Sequence, residues 1–186
     1  MAELIYVMNM SLDGYIEDEH GDFNLYPHDD EVFAAYTELT RPVGTFLYGR
    51  RLYETMAPWE TNPELGEQSP LTAEFATAWQ AASKVVYSTT LTTVSTADTR
   101  IAQRFDPTEI QEMKETATGD LTVGGAELAA QAFTAGLVDE CQLFVWPWII
   151  GGGKPALQTT TRTALELRDE RRFGNGVTLL RYRVMT

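Results

Sequence analysis

Cations, cysteine and histidine are scarce in this sequence. Lysine and arginine together number 14 against 27 aspartates and glutamates, a formal net charge of −13. So acidic a chain is a poor candidate for nucleic acid or anionic membranes, which bind through cationic surfaces. Any phosphate-rich ligand would need cations gathered locally. The lone cysteine, Cys141, excludes an intrachain disulfide and fits a reducing, cytoplasmic setting. Its apolar neighbours point to a buried, inert thiol. The two histidines, His20 and His28, lie in a polar stretch, and HExxH, CxxC and GxSxG patterns are absent. No metal site and no nucleophilic triad is therefore expected. No run of about eighteen apolar residues is present, so no membrane-spanning helix is expected. The opening MAELIYVMNM lacks a basic region and reads as strand rather than secretory leader.

A core, by contrast, is well provided for. Hydrophobic residues make up 44% of 186, and charged residues 22%. One domain over 1–186 is expected. Its centre is the stretch from Asp120 to Leu157. Leu121-Thr122-Val123 reads as a buried strand, followed at once by Gly124-Gly125. Ala126 to Ala135 reads as a helix, stopped by Gly136. Glu140 to Ile150 reads as a second strand, ending in Gly151-Gly152-Gly153. Glycine before a helix either satisfies turn geometry or lets a ligand approach the backbone and the helix N-terminus. The pattern is not GxGxxG, so the Rossmann fingerprint is missing.

Around this centre the chain alternates strand and helix. Leu4 to Met10 reads as a strand buried on both faces, and Asp13-Gly14 as a turn. Asn9 is the polar exception in that strand and needs a partner. Asp29 to Thr40 reads as a helix with acids in its first turn; Val32, Phe33, Tyr36 and Leu39 share one face. Val43 to Tyr48 is a strand, and Gly49-Arg50-Arg51 marks its junction with a short helix, where two arginines can grip a phosphate. Ala57 to Pro70 reads as a long loop. Its Trp59 either covers a cleft or pins the loop. Leu71 to Ala82 is a helix, Lys84 to Tyr87 a strand closed by Ser88-Thr89-Thr90, and Asp106 to Thr116 a helix. Ala164 to Arg172 and Val177 to Met185 read as an antiparallel hairpin around Gly174-Asn175-Gly176. Together these predict an α/β fold: a mixed, mostly parallel sheet with a C-terminal antiparallel hairpin and flanking helices.

Five segments carry a family resemblance: SLDGYI (11–16), LYGRRLYE (47–54), KVVYSTTL (84–91), TVGGAEL (122–128) and WPWIIGGGKP (146–155). In that order, and across nearly the whole chain, they resemble the dihydrofolate reductase-like superfamily. The branch is that of the bacterial riboflavin-biosynthesis reductase, the RibD C-terminal domain. The resemblance implies a three-layer fold and an NADPH-dependent oxidoreductase passing hydride to a small heterocycle or ribosylated pyrimidine. The alternatives are a dihydrofolate or pterin reductase, or a non-catalytic nucleotide- or flavin-binding protein. By the same resemblance Gly49, Arg50, Arg51, Ser88, Thr89, Gly124, Gly125, Ala126, Glu127 and Leu128 would hold the cofactor, with the hydroxyls on the 2′-phosphate. The Gly124–Gly125 peptide would be cis. Met8, Asn9, Asp13, Phe33 and Trp59 would meet substrate. Glu31 and Asp13 are candidate catalytic acids; for Glu31 and Asp30 helix capping is an equal explanation. Gly125→Ala is expected to weaken cofactor binding more than folding. A homodimer is expected, with QLFVWPWII contributing to the interface as well as to the core.

Overall fold

A computed structural model describes residues 1–23 and 25–185. Its frame is an eight-stranded sheet in the order β5-β4-β3-β6-β1-β7-β10-β9. The strands are β1 (Leu4–Ser11), β3 (Val43–Gly49), β4 (Ser83–Tyr87), β5 (Thr99–Ala102), β6 (Asp120–Gly124), β7 (Glu140–Trp146), β9 (Ala164–Arg172) and β10 (Thr178–Met185). From β5 to β7 every pairing is parallel; β10 pairs antiparallel with both β7 and β9. A second, two-stranded sheet joins β2 (Tyr15–Glu17) to β8 (Lys154–Pro155).

The apolar β1 lies between β6 and β7, as its two-sided hydrophobicity requires. Its Leu4 and Tyr6 pack on one face with Ile110, Leu128, Ala129 and Ala132, which come from α6 (Pro107–Thr116) and α7 (Ala126–Thr134). Its Val7 packs on the other face, with Val32 and Ala35 of α1 (Asp30–Thr40). The same face holds α5 (Pro70–Ala81), whose Phe75 and Trp79 are buried against β3 and β4. Helices thus cover both sides of a mixed sheet, and the three layers and the C-terminal hairpin are those expected.

Asp29 caps α1 by accepting from the Val32 amide at 3.1 Å. The stretch expected as a loop after α2 (Arg50–Met56) is instead two single-turn helices, α3 (Pro58–Thr61) and α4 (Pro63–Gly66). Each has proline at a first-turn position, where the missing N–H is no loss. Trp59 pins this segment, stacking on Phe33 at 5.8 Å and meeting Phe75 edge-on at 4.7 Å. The strand expected to reach Ile150 ends at Trp146, because Pro147 has no N–H for the ladder. β7 lies inside the sheet between β1 and β10 and contributes to the core; Pro147, Trp148 and Ile149 beyond it are exposed. Cys141 is buried in it, and burial, then the Glu140 charge, pushes its thiol up to about 12.

Lys84 lies inside the α5 layer. Its ammonium is fully buried, 3.5 Å from Glu60 of α3, 3.2 Å from the Gln80 carbonyl and 4.3 Å from the centre of the Trp79 ring. Burial lowers its pKa and Glu60 opposes that. Glu60→Ala, which strands this charge, is expected to cost about 3 kcal/mol in urea denaturation. The apolar double variant Lys84→Met/Glu60→Leu should stay near wild-type stability.

Candidate functional site

Parallel strands send their carboxyl ends to one side, and ligand sites of open α/β sheets form there. A cleft of about 500 Å³ opens at that side. Its floor comes from four strand ends: Met8 and Asn9 of β1, Gly49 of β3, Tyr87 of β4 and Gly125 after β6. One wall is α2, with Arg50, Arg51, Leu52 and Thr55; another is the first turns of α7, from Ala126 to Leu128 with Gln131. Ile16, Glu17, Phe23, Tyr26 and Lys154 close the rest.

The two adjacent glycines do different work. Gly124 is buried, and a Cβ on it would overlap Leu52 and touch the Tyr48 ring. It serves the packing of α2 on β6 and does not line the cleft. Gly125 has φ +97°, a region that L-residues avoid, and nothing lies within 4 Å of where its Cβ would be. Its bareness opens onto the cleft, at the N-terminus of α7. The described residues contain no cis peptide. The positive φ of Gly125 makes the turn with the Gly124–Gly125 bond trans, against expectation.

The cleft's charges form a chain. The buried Glu17 carboxylate is ion-paired with Arg51 at 3.3 Å and accepts from Lys154 at 3.0 Å. Lys154 reaches on to Glu127 at 3.1 Å. Burial alone would lower the Lys154 pKa; hydrogen bonds to Glu17, then Glu127, outweigh it and hold the ammonium above its ordinary value. Arg50 has only a loose contact with Glu54 at 3.8 Å and donates to Thr90 Oγ1 at 3.3 Å. The arginine and hydroxyl clusters of the sequence therefore meet. The Tyr87 ring packs on Phe105; its buried hydroxyl has no partner among the described residues, and burial first of all pushes it up to about 12. A bare glycine at a helix N-terminus and a loosely held arginine fit a phosphate-bearing nucleotide.

Several expected site residues lie elsewhere. Asp13 accepts from the amides of Ile150 (3.1 Å) and Gly151 (2.8 Å) and does not line the cleft. A hydrogen bond from Ser11, then those from Gly151 and Ile150, hold its carboxyl below the ordinary value. Glu31 accepts from the Gly174 amide at 2.9 Å, tying α1 to the hairpin turn. Asp30 meets His28 at 2.9 Å. Phe33 and Trp59 are packing residues of the α1–α5 layer. Ser88 turns its hydroxyl to the amides of Thr90 and Leu91, and Thr89 is exposed; neither lines the cleft. Arg100 is paired with Glu109 of α6. Met8, Asn9, Gly49, Arg50, Arg51, Gly125, Ala126, Glu127 and Leu128 all line the cleft. Sequence reasoning missed Glu17, Tyr26, Tyr87 and Lys154. Only Lys154, straight after the glycine run, carried a local signal.

The family model for the RibD C-terminal domain matches residues 2–179. The chain belongs to the RibD C-terminal domain family. The protein YyaP of Bacillus subtilis, itself uncharacterized, is 26% identical over 181 residues, covering 96% of this chain and 93% of that protein. Among solved structures, a Shewanella sp. PV-4 protein provisionally named for riboflavin biosynthesis superposes over both full chains with TM-score 0.76 at 19% identity. The Thermotoga maritima deaminase and 5-amino-6-(5-phosphoribosylamino)uracil reductase superposes with TM-score 0.66 at 13% identity, over 99% of this chain and 57% of that one. At such identities these two likenesses speak for the RibD C-terminal, dihydrofolate reductase-like fold.

The two glycines give separable expectations. Gly124→Ala should destabilise the fold by about 1–3 kcal/mol through overpacking. Gly125→Ala should also cost about 1–2 kcal/mol, from backbone strain, so ligand binding is not its sole casualty. Urea denaturation of both variants measures this; a neutral Gly124→Ala would refute the packing role.

Proposed function

We propose that the chain is an NADPH-dependent reductase of a small nitrogen heterocycle or ribosylated pyrimidine. The observation that carries this reading is the meeting of Gly125 and the α7 N-terminus with Arg50, itself hydrogen-bonded to Thr90, in one cleft at the strand ends. Membership of a family with reductase members supports it. NADPH, when bound, supplies the hydride. The backbone at Gly125 and Ala126 offers N–H groups to its diphosphate. Arg50, seconded by Thr90, gives a fork for a further phosphate. Arg51 and Lys154, engaged with Glu17, hold the wall between α2, β2 and β8 rather than bind first. Met8, Phe23 and Tyr26 give an apolar and aromatic lining against which a flat ring can lie and from which water is excluded. Tyr26 is fixed by donating to the Tyr15 carbonyl at 2.6 Å.

The resemblance to dihydrofolate reductases implies a carboxylate from the α1 helix for a pterin, and here Glu31 holds the Gly174 amide and Asp30 meets His28. That favours the pyrimidine over the pterin.

Thermal unfolding with NADPH, NADH and neither is the test. NADPH at a hundred times its Kd should stabilise by about 2.7 kcal/mol, and NADH by less. Arg50→Ala should shrink the difference between them. Consumption of NADPH with 5-amino-6-(5-phosphoribosylamino)uracil then tests turnover, with dihydrofolate as the comparison. No stabilisation by either nucleotide would sink the reductase reading; binding without consumption would favour a non-catalytic nucleotide-binding role.

We also propose that two copies associate, through the β9–β10 hairpin. All of β9 is exposed, with Leu165 and Leu167 at 40% and 48%. They lie opposite Val184 and Tyr182, both only half-buried. This leaves an apolar stripe on an open edge, of the kind that a second copy covers. Light scattering should report a dimer that Leu165→Glu/Leu167→Glu dissociates; a wild-type monomer at micromolar concentration would refute it.

A further inference from the structure

Asn9 stands where an otherwise apolar strand enters the cleft. Its side-chain oxygen accepts from Trp146 Nε1 at 2.9 Å. An indole N–H can only donate. The atom facing it must therefore be the carbonyl oxygen, and a flipped amide would set donor against donor. Trp146 is 4% exposed, packed between Tyr26 (5.5 Å) and Trp148 (6.2 Å, stacked), so it cannot turn away to accommodate a flip. The amide nitrogen of Asn9 is thus left on the other side of the group, in a residue that lines the cleft. Among the described residues it has no partner. The fold needs one acceptor for the indole; the NH2 group is surplus to it. Unlike Arg51, Lys154, Glu17 and Glu127, whose charges are paired, this donor is fixed in direction and free.

We propose that Asn9, locked by Trp146, is the specificity-determining donor of the cleft, and that it selects a ligand by a planar carbonyl oxygen. Such an oxygen belongs to the ring carbonyl of a pyrimidine or related lactam, and equally to the carboxamide of a nicotinamide. This rests on the reductase reading above. A site built to donate to a ligand oxygen discriminates strongly, because the wrong partner leaves a polar group unpaired.

Asn9→Asp is the informative variant. It is isosteric, still accepts from Trp146, and turns an acceptor toward the cleft in place of the donor. Wild type and variant are compared by calorimetry for binding of NADPH, of adenosine 2′,5′-bisphosphate (which lacks nicotinamide), and of 5-amino-6-(5-phosphoribosylamino)uracil with and without NADP⁺. If the oxygen is the substrate's, Asn9→Asp weakens the uracil about tenfold or more and leaves NADPH unchanged. If it is the nicotinamide's, NADPH weakens to that extent while the bisphosphate does not. Trp146→Phe, which frees the amide to flip, should give a smaller loss in the same arm. Binding of both full ligands within twofold of wild type, in a variant of unchanged melting temperature, overturns the proposal. A wild type that takes the uracil but not NADPH overturns the reductase reading alone; one that takes neither overturns both.

Discussion

Five consecutive parallel pairings decide where chemistry can happen in this chain. A parallel strand must be re-entered from the same end, so each crossover returns the chain over a face of the sheet and leaves the carboxyl ends together. β1, β3, β4 and β6 all deliver residues to one edge in this way. Residues as far apart in sequence as Asn9 and Gly125 come to line one cleft without any local device. The antiparallel hairpin contributes nothing to that edge. It contributes Phe173, Val177 and Leu179 to the core over α1, and its turn takes the acid that might have served the cleft.

The electrostatics follow from a chain that carries almost twice as many acids as bases. Its few cations are economised. In the cleft, Glu17 holds Arg51 and Lys154 together, so that one buried carboxylate organises the wall while the sheet supplies the floor. The network ties α2 and α7 to the paired strands β2 and β8. Arg50 stands outside this chain of pairs, and it is where the hydroxyl-bearing end of β4 arrives.

The sheet was legible because its strands are β-branched runs bounded by glycine and because the hairpin alternates. β5 was not: Thr99–Ala102 is a four-residue edge strand without an apolar run. β2 and β8 were not either, since two or three residues paired across some 140 positions leave no periodic trace. The cleft was half legible. Met8, Asn9, Gly49 and Gly125 line it because the backbone itself puts strand ends and their junctions there, whereas Gly124, Ser88 and Thr89 do not line it. Asp13, Glu31 and Phe33 do not line it, and Trp59 pins its segment, one of the two readings open for it: composition marks a residue as unusual without saying which neighbour claims it. Asp13 was claimed by two amides of the glycine loop, and Trp59 by two rings. Asn9 was noticed as an oddity; only the indole opposite it gives its amide a direction.

The central position of β1 has a further consequence, for the order in which the molecule can be made. β1 pairs only with β6 and β7, beginning at Leu121 and Glu140. On the ribosome, the most apolar strand of the sheet emerges first and waits for partners that are synthesised more than a hundred residues later. Pairings of such long range close slowly. β3 and β4 can meet early, through the α5 crossover, and offer a seed. Until β6 and β7 have been made, Leu4, Ile5 and Tyr6 have no partner strand to pair with.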